Sequence, residues 1–191
     1  MSKIDELVAE LCPDGVEYKK LKQVATLKNG SDYKHLGPGN IPVYGSGGAM
    51  NVGVDTPAYD KPTVLLPRKG SIDNVFYLDE PFWNIDTVFY TVIDEALVVP
   101  RYLYHVMLSV HVENYSTGSA ARPSLTQSAL GKIEIPVPPL EIQQEIVRVL
   151  DSFAELEAEL EAELEAELEA RRAQYRYYRD RLLSFEREFN G

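Results

Sequence analysis

Cysteine is almost absent from this 191-residue chain, with Cys12 the only one. A single thiol cannot close an internal disulfide and cannot build a cysteine-based zinc cluster, so the composition fits a reducing compartment. Cys12 itself sits in Cys12-Pro13-Asp14-Gly15 and reads as a small residue beside a turn. No apolar run reaches the ~18 residues that a membrane-crossing helix needs. The opening stretch, MSKIDELVAELCPDG, sets acidic side chains inside its apolar residues, which a secretory signal does not do. The expectation is a cytoplasmic protein without a membrane contact.

A basic surplus is lacking too. The net charge is −11, and residues 151–191 hold 12 acidic against 6 basic side chains, leaving −5 on residues 1–150. Charge alone therefore argues against a nucleic-acid binder, and any such binding needs a localised basic face. Catalytic signatures are missing as well. There is no Walker-type loop, no Gly-x-Gly-x-x-Gly and no Asn-Pro-Pro-aromatic run of the kind adenine methyltransferases carry. Asp73, Asp79, Glu80 and Asp86 are scattered carboxylates at strand ends. They suggest neither a nuclease centre nor a metal set, and no cofactor is expected.

Glycine and proline are unevenly distributed, and this divides the chain. Up to Pro139 they recur often, between short β-branched and aromatic runs at Ile41–Tyr44, 63–67, 75–78 and 86–93. Residues 2–11 have apolar side chains at helical spacing with Ser2 as cap, and 16–28 read as a strand followed by a helical turn. The stretch 37–53 is too rich in glycine for a long helix and reads as a short strand followed by a loop. Residues 100–114 read as one helix opened by Pro100, and 125–137 as a short helix running into a strand. From Leu140 to about Phe189 neither breaker occurs. That predicts roughly 50 helical residues, about 75 Å long. The fold class is α+β: a compact β-rich domain over 1–138, then a long helix over 139–189.

Inside that helix ELEA is written four times, from Glu155 to Ala170. Leu156, Leu160, Leu164 and Leu168 step by four, and each step advances about 40° around the axis. The result is a slanted ridge and not a strict heptad seam. Tyr175, Tyr178 and Leu182 continue the apolar side chains, and Arg171 to Arg181 form a basic end. Glutamates four apart repel by about 0.2–0.5 kcal/mol per pair, so the helix gains from a partner. An antiparallel second copy would set the Arg segment of one beside the Glu segment of the other, making these seven apolar residues a dimerisation face.

Several stretches fall in one order: IPVYGSGG (41–48), LLPRKGSID (65–73), FWNIDTVFY (82–90), GSAARPSLTQSAL (118–130) and IPVPPLEIQQEIVRVLDSF (135–153). Together they resemble the specificity (S) subunit of type I restriction–modification systems, over nearly the whole chain. The Pro-Pro-Leu-Glu-x-Gln run leading into a helix with tetrapeptide repeats carries most of the likeness. A full S subunit has two target-recognition domains and two helical regions, and this chain resembles half of one. The resemblance implies a non-catalytic, sequence-specific reader of double-stranded DNA. It implies one half-site per domain and two copies paired through antiparallel helices that set the half-site spacing. Separate modification (methyltransferase) and restriction subunits would be its partners.

Four loops offer DNA contacts. Arg68, Lys69 and Ser71 give two cations and a small residue beside Gly70. Tyr44, Ser46, Gly47 and Gly48 give backbone N–H groups for a phosphate. Ser119 and Arg122 lie on a third loop, and Arg is suited to bidentate guanine contact. Lys34, with Lys28, Asn29 and His35, gives a fourth. Trp83 reads as a core residue, His105 and His111 as structural residues on the 100–114 helix, and Asn84 and Asp86 as holding the β domain together. Two other readings of the same layout stay open. One is a coiled-coil adaptor whose β-rich domain binds a protein or sugar ligand, and the other is a small hydrolase using the 73–86 carboxylates.

Overall fold

The computed structural model describes residues 2–117 and 124–185. It divides into two compact units, Met1–Arg148 and Val149–Gly191.

The first unit opens with α1 (Lys3–Leu11), capped as the sequence suggests. Ser2 Oγ accepts from Asp5 N at 3.2 Å while the Asp5 carboxylate accepts from Ser2 N at 2.8 Å, a reciprocal capping box. Those hydrogen bonds hold the Asp5 carboxyl below its usual range. Next come β1 (Tyr18–Lys20), the single turn α2 (Leu21–Val24) and β2 (Ala25–Asn29). β3 (Pro38–Gly45) and β4 (Gly48–Val54) follow, then β5 (Thr63–Pro67) and β6 (Phe76–Leu78). β7 (Trp83–Asn84) and β8 (Val88–Ile93) precede α3 (Pro100–Ser109). α4 (Gln127–Leu130), β9 (Glu134–Pro136) and α5 (Leu140–Leu183) complete the order.

The described strands form three sheets. β2-β8-β5-β6 is antiparallel throughout, β4-β3-β7 has a parallel β3–β7 pair, and β1 pairs with β9. Alternation along β5 explains the layering. Val64 and Leu66 point to the larger core, with Phe89, Leu103, Met107, Leu130 and Ile135. Leu65 points to the other face, joining Phe82 and Val88 with Tyr44, Tyr59 and Tyr90 around them. Both faces of the central strand are therefore buried, which is why Val64, Leu65 and Leu66 are apolar without interruption.

Three expectations need correction. The stretch 37–53 is mostly a β-hairpin, and only Ser46 and Gly47 are left as its turn. Gly48, at φ 106°, takes the left-handed conformation that closes it. The helix begun at Pro100 ends at Ser109, where Val110 turns to extended backbone, and a short 3-10 turn over Val112–Tyr115 follows. Ser109 bonds its hydroxyl to Val106 O, and the β-branched valines beyond it disfavour further helix. Trp83 is only half-buried, and the core position beside it belongs to Phe82.

The first turns of α5 belong to the first unit. Gln143 is fully buried, and its side chain accepts from Val99 N at 2.9 Å and donates to Leu97 O and Pro138 O, both at 2.8 Å. One amide thereby satisfies the start of α3 and the approach to α5. Glu145, also buried, meets Arg148 at 2.6 Å and Lys3 at 2.9 Å. Hydrogen bonds from Arg148, then Lys3, lower its carboxyl to about 2.

In the second unit the helix runs unbroken to Leu183, and every described residue from 152 onward is exposed. Leu156, Leu160, Leu164 and Leu168 are each 50–59% exposed, and Tyr175, Tyr178 and Leu182 are similarly open.

Candidate nucleic-acid interface

The segment Asn84–Thr87, linking β7 to β8, gathers three of the four predicted loops. Thr87 is its fastener. Its Oγ1 accepts from Ser46 N at 3.2 Å, and its carbonyl accepts from Arg68 N at 2.8 Å and Lys69 N at 3.4 Å. The β3–β4 turn and the loop after β5 are thus tied to one residue. Asn74 Nδ2 adds a bond to Ser46 O at 3.0 Å. A Cβ on Gly70 would lie 2.8 Å from Ser46 Oγ, so only glycine, at φ 80°, lets these loops approach so closely.

The third loop is anchored beside them. Lys69 bridges Ser124, and Leu125 N donates to Arg68 O at 2.9 Å. Thr117 N donates to Ser124 O at 2.9 Å, so the described residues flanking 118–123 are held together next to Arg68 and Lys69. Ser119 and Arg122 lie outside the described residues. The Lys34 loop rests on the other end of the 83–88 segment. Ser31 N donates to Asn84 O, Trp83 Nε1 donates to Ser31 O, and the Trp83 ring meets His35 edge-on at 5.7 Å. Trp83 is therefore a loop clamp. Lys34 is exposed, with its backbone N–H given to Asp32.

Individual candidates differ in how free they are. Tyr44 is half-buried, its ring set against Phe76 and Phe82, and so helps support the site. The Ser46 N–H is already used within the fold, while Gly47 is exposed at the turn. Arg68 lays its guanidinium over the Phe89 ring at 5.9 Å. Lys69 meets Asp86 at 3.4 Å with both half exposed or more, a weak pair that a phosphate can displace. Ser71 is exposed. His111 stands beyond the end of α3, exposed, with Nδ1 3.1 Å from Glu113.

Sequence reasoning missed Thr87, Asn74 and Gln127. Gln127 Nε2 donates to Asn29 Oδ1 at 3.2 Å, both residues are exposed, and Asn29 pairs across the sheet with Phe89, whose ring lies under Arg68. Their meeting depends on a separation of 98 residues, which no local pattern signals. The arrangement offers cations, small residues, backbone amides and side-chain amides on one loop cluster. Those groups suit phosphate contact and base-edge contact, and no cluster of His, Cys, Asp and Glu fit for a metal occurs among the described residues.

Comparison with known proteins bears on this geometry. Residues 13–170 match the family described as the type I restriction modification DNA specificity domain. A type I restriction enzyme specificity subunit of Haemophilus influenzae is 34% identical over 183 residues, covering 90% of this chain and 47% of its own length. The chain thus spans about half of that relative. A solved structure concerned with complex assembly of the type I R-M system superposes with a TM-score of 0.66 at 18% identity, covering 89% of this chain and 48% of the other. The type I S subunit from M. genitalium gives 0.63 at 19%, covering 73% and 40%. At these identities the likeness to the solved structures is one of fold.

Proposed function

The chain belongs to the type I restriction modification DNA specificity family, and from that premise we propose that its β-rich domain reads one half of a split sequence in double-stranded DNA. The observation that carries this reading is the convergence of loops on Thr87, which brings Arg68, Lys69 and Ser46 together with the residues flanking 118–123. Phosphate contacts by Lys69, Lys34 and the Gly47 turn fix position, and Arg68, Asn29 and Gln127 are the base-edge candidates. The domain carries no catalytic role. Methyl transfer and cleavage fall to separate modification and restriction subunits that dock on it.

Because the domain is net negative, its own hold on DNA is weak and falls steeply with salt. Two copies paired through antiparallel α5 helices supply two readers, and the helices fix the gap between half-sites. One ELEA unit lengthens a helix by about 6 Å, against ~3.4 Å per base pair.

Methylation-site mapping after co-expression with a modification subunit tests this. A split site is expected, and deleting one ELEA unit should shorten its gap while leaving both half-sites unchanged. Altered half-sites would refute the spacer role. Absence of any site-specific methylation would refute the reading as a specificity subunit.

A further inference from the structure

Seven apolar side chains of α5, together with Arg171, follow a spacing that reads the same in both directions. From Val149 the seam passes Phe153, Leu156 and Leu160, then Leu164, Leu168, Arg171 and Tyr175, in steps of four, three, four, four, four, three, four. Position 162, the middle of the ELEA tract, is its mirror point. The same spacing continues outward to Ile146 and Tyr178 in the sequence. At about 100° per residue all eight positions stay within a stripe roughly 120° wide.

We propose that this stripe is the contact face for a second copy of the chain, in one register: antiparallel, with the two-fold axis level with position 162. The inference rests on the paired-helix reading above and adds the alignment. In this register Leu160 faces Leu164 of the second copy and Leu156 faces Leu168. Phe153 meets Arg171, whose stem packs on the ring while its guanidinium lies over the face. Val149 meets Tyr175. Every seam position finds a seam position, as a two-fold interface requires.

Charge alone would choose differently. An axis near Glu169 sets the Arg segment against the Glu segment. It also sets Tyr175 against Glu163 and Leu164 against Gln174. Exposed ion pairs contribute much less than burial of large apolar side chains, so the apolar match decides. The cost is that glutamates flanking the leucines meet their own kind at the centre. Near the ends the match is complementary, with Arg172 beside Asp151 of the second copy. The available area is sufficient. The large seam side chains are 50–67% exposed. At roughly 100 Å² each, both copies together approach the ~1,600 Å² of an ordinary stable interface.

Cross-linking in the full chain, with Cys12→Ser so that only introduced thiols react, tests the register. Leu156→Cys with Leu168→Cys should oxidise to a covalent dimer. The two positions lie about 18 Å apart on one helix and cannot bridge within a chain. Leu156→Cys with Leu182→Cys reports the axis near Glu169, and Leu156→Cys alone reports a parallel pair. The first variant should give roughly tenfold more covalent dimer than either of the others, since disulfides tolerate little misplacement. Preferential linking in the second or third variant overturns the register while leaving self-association standing. A chain that sediments as monomer at micromolar concentration overturns the register and the paired-helix reading together. Leu156, Leu168 and Leu182 are exposed, and helical circular dichroism verifies that each variant is folded.

Discussion

The two units use the same kinds of side chain to opposite ends. In the first, Leu65, Leu66 and Phe82 are fully buried. In the second, Leu156, Leu160 and Leu164 are more than half exposed on the part of α5 beyond Arg148, where no described residue is buried. The first unit answers its apolar content with its own core. The second presents an apolar stripe for which the described chain supplies no cover. The contrast separates residues that make a fold from residues left available for an association, though all are leucines and aromatics.

Several substitutions would sharpen or break that contrast. Phe82→Ala should have the largest effect, lowering stability of the first unit by about 3–5 kcal/mol in urea denaturation. Gln143→Ala should cost about 2–4 kcal/mol, because Val99 N, Leu97 O and Pro138 O lose their partner together. Leu160→Ala should change the stability of the first unit by less than about 0.5 kcal/mol, yet reduce self-association in sedimentation. If it unfolds the first unit, the division of labour is wrong.

The Glu145 carboxyl gives a pH test. Its value is lowered from 4.5 to about 2 in the folded state, so its stabilising contribution is present above about pH 4.5. It is lost as pH falls from there toward 2. Glu145→Gln should flatten that part of the stability profile and leave neutral-pH behaviour of the helix beyond residue 149 unchanged. The smallest expected effect is that of Lys69→Ala on DNA binding. It should weaken binding similarly on all sequences and reduce the salt slope by about one, read by fluorescence anisotropy across a salt series.

Much of this organisation was legible in the residues. The absence of Gly and Pro from Leu140 to Phe189 marks the long helix, and the β-branched runs mark β5, β6 and β8. β7 escaped because two residues carry no period, and its parallel partner is remote in sequence. The 37–53 stretch misled because glycines there serve close strand packing, where a Cβ on Gly39 or Gly53 would meet the opposing backbone at 2.3 and 2.1 Å. Gln143 left a faint trace, a polar residue on the same helical face as Ile146 and Val147. Of the contact loops, the types of residue were readable. Their meeting at Thr87 was not, since it joins positions about forty and twenty residues away.

The position of the ELEA tract has a consequence for how such chains diversify. Since the repeat is uniform and straddles the mirror point, gaining or losing one tetrad leaves the seam a mirror of itself. In the register proposed above, each length variant would remain its own match, turned by about 40° and longer by about 6 Å per helix, with no compensating change elsewhere. A tract placed off-centre would force a second, matching alteration for every change in length. Under that proposal, a single copying slip would be enough to retune reach.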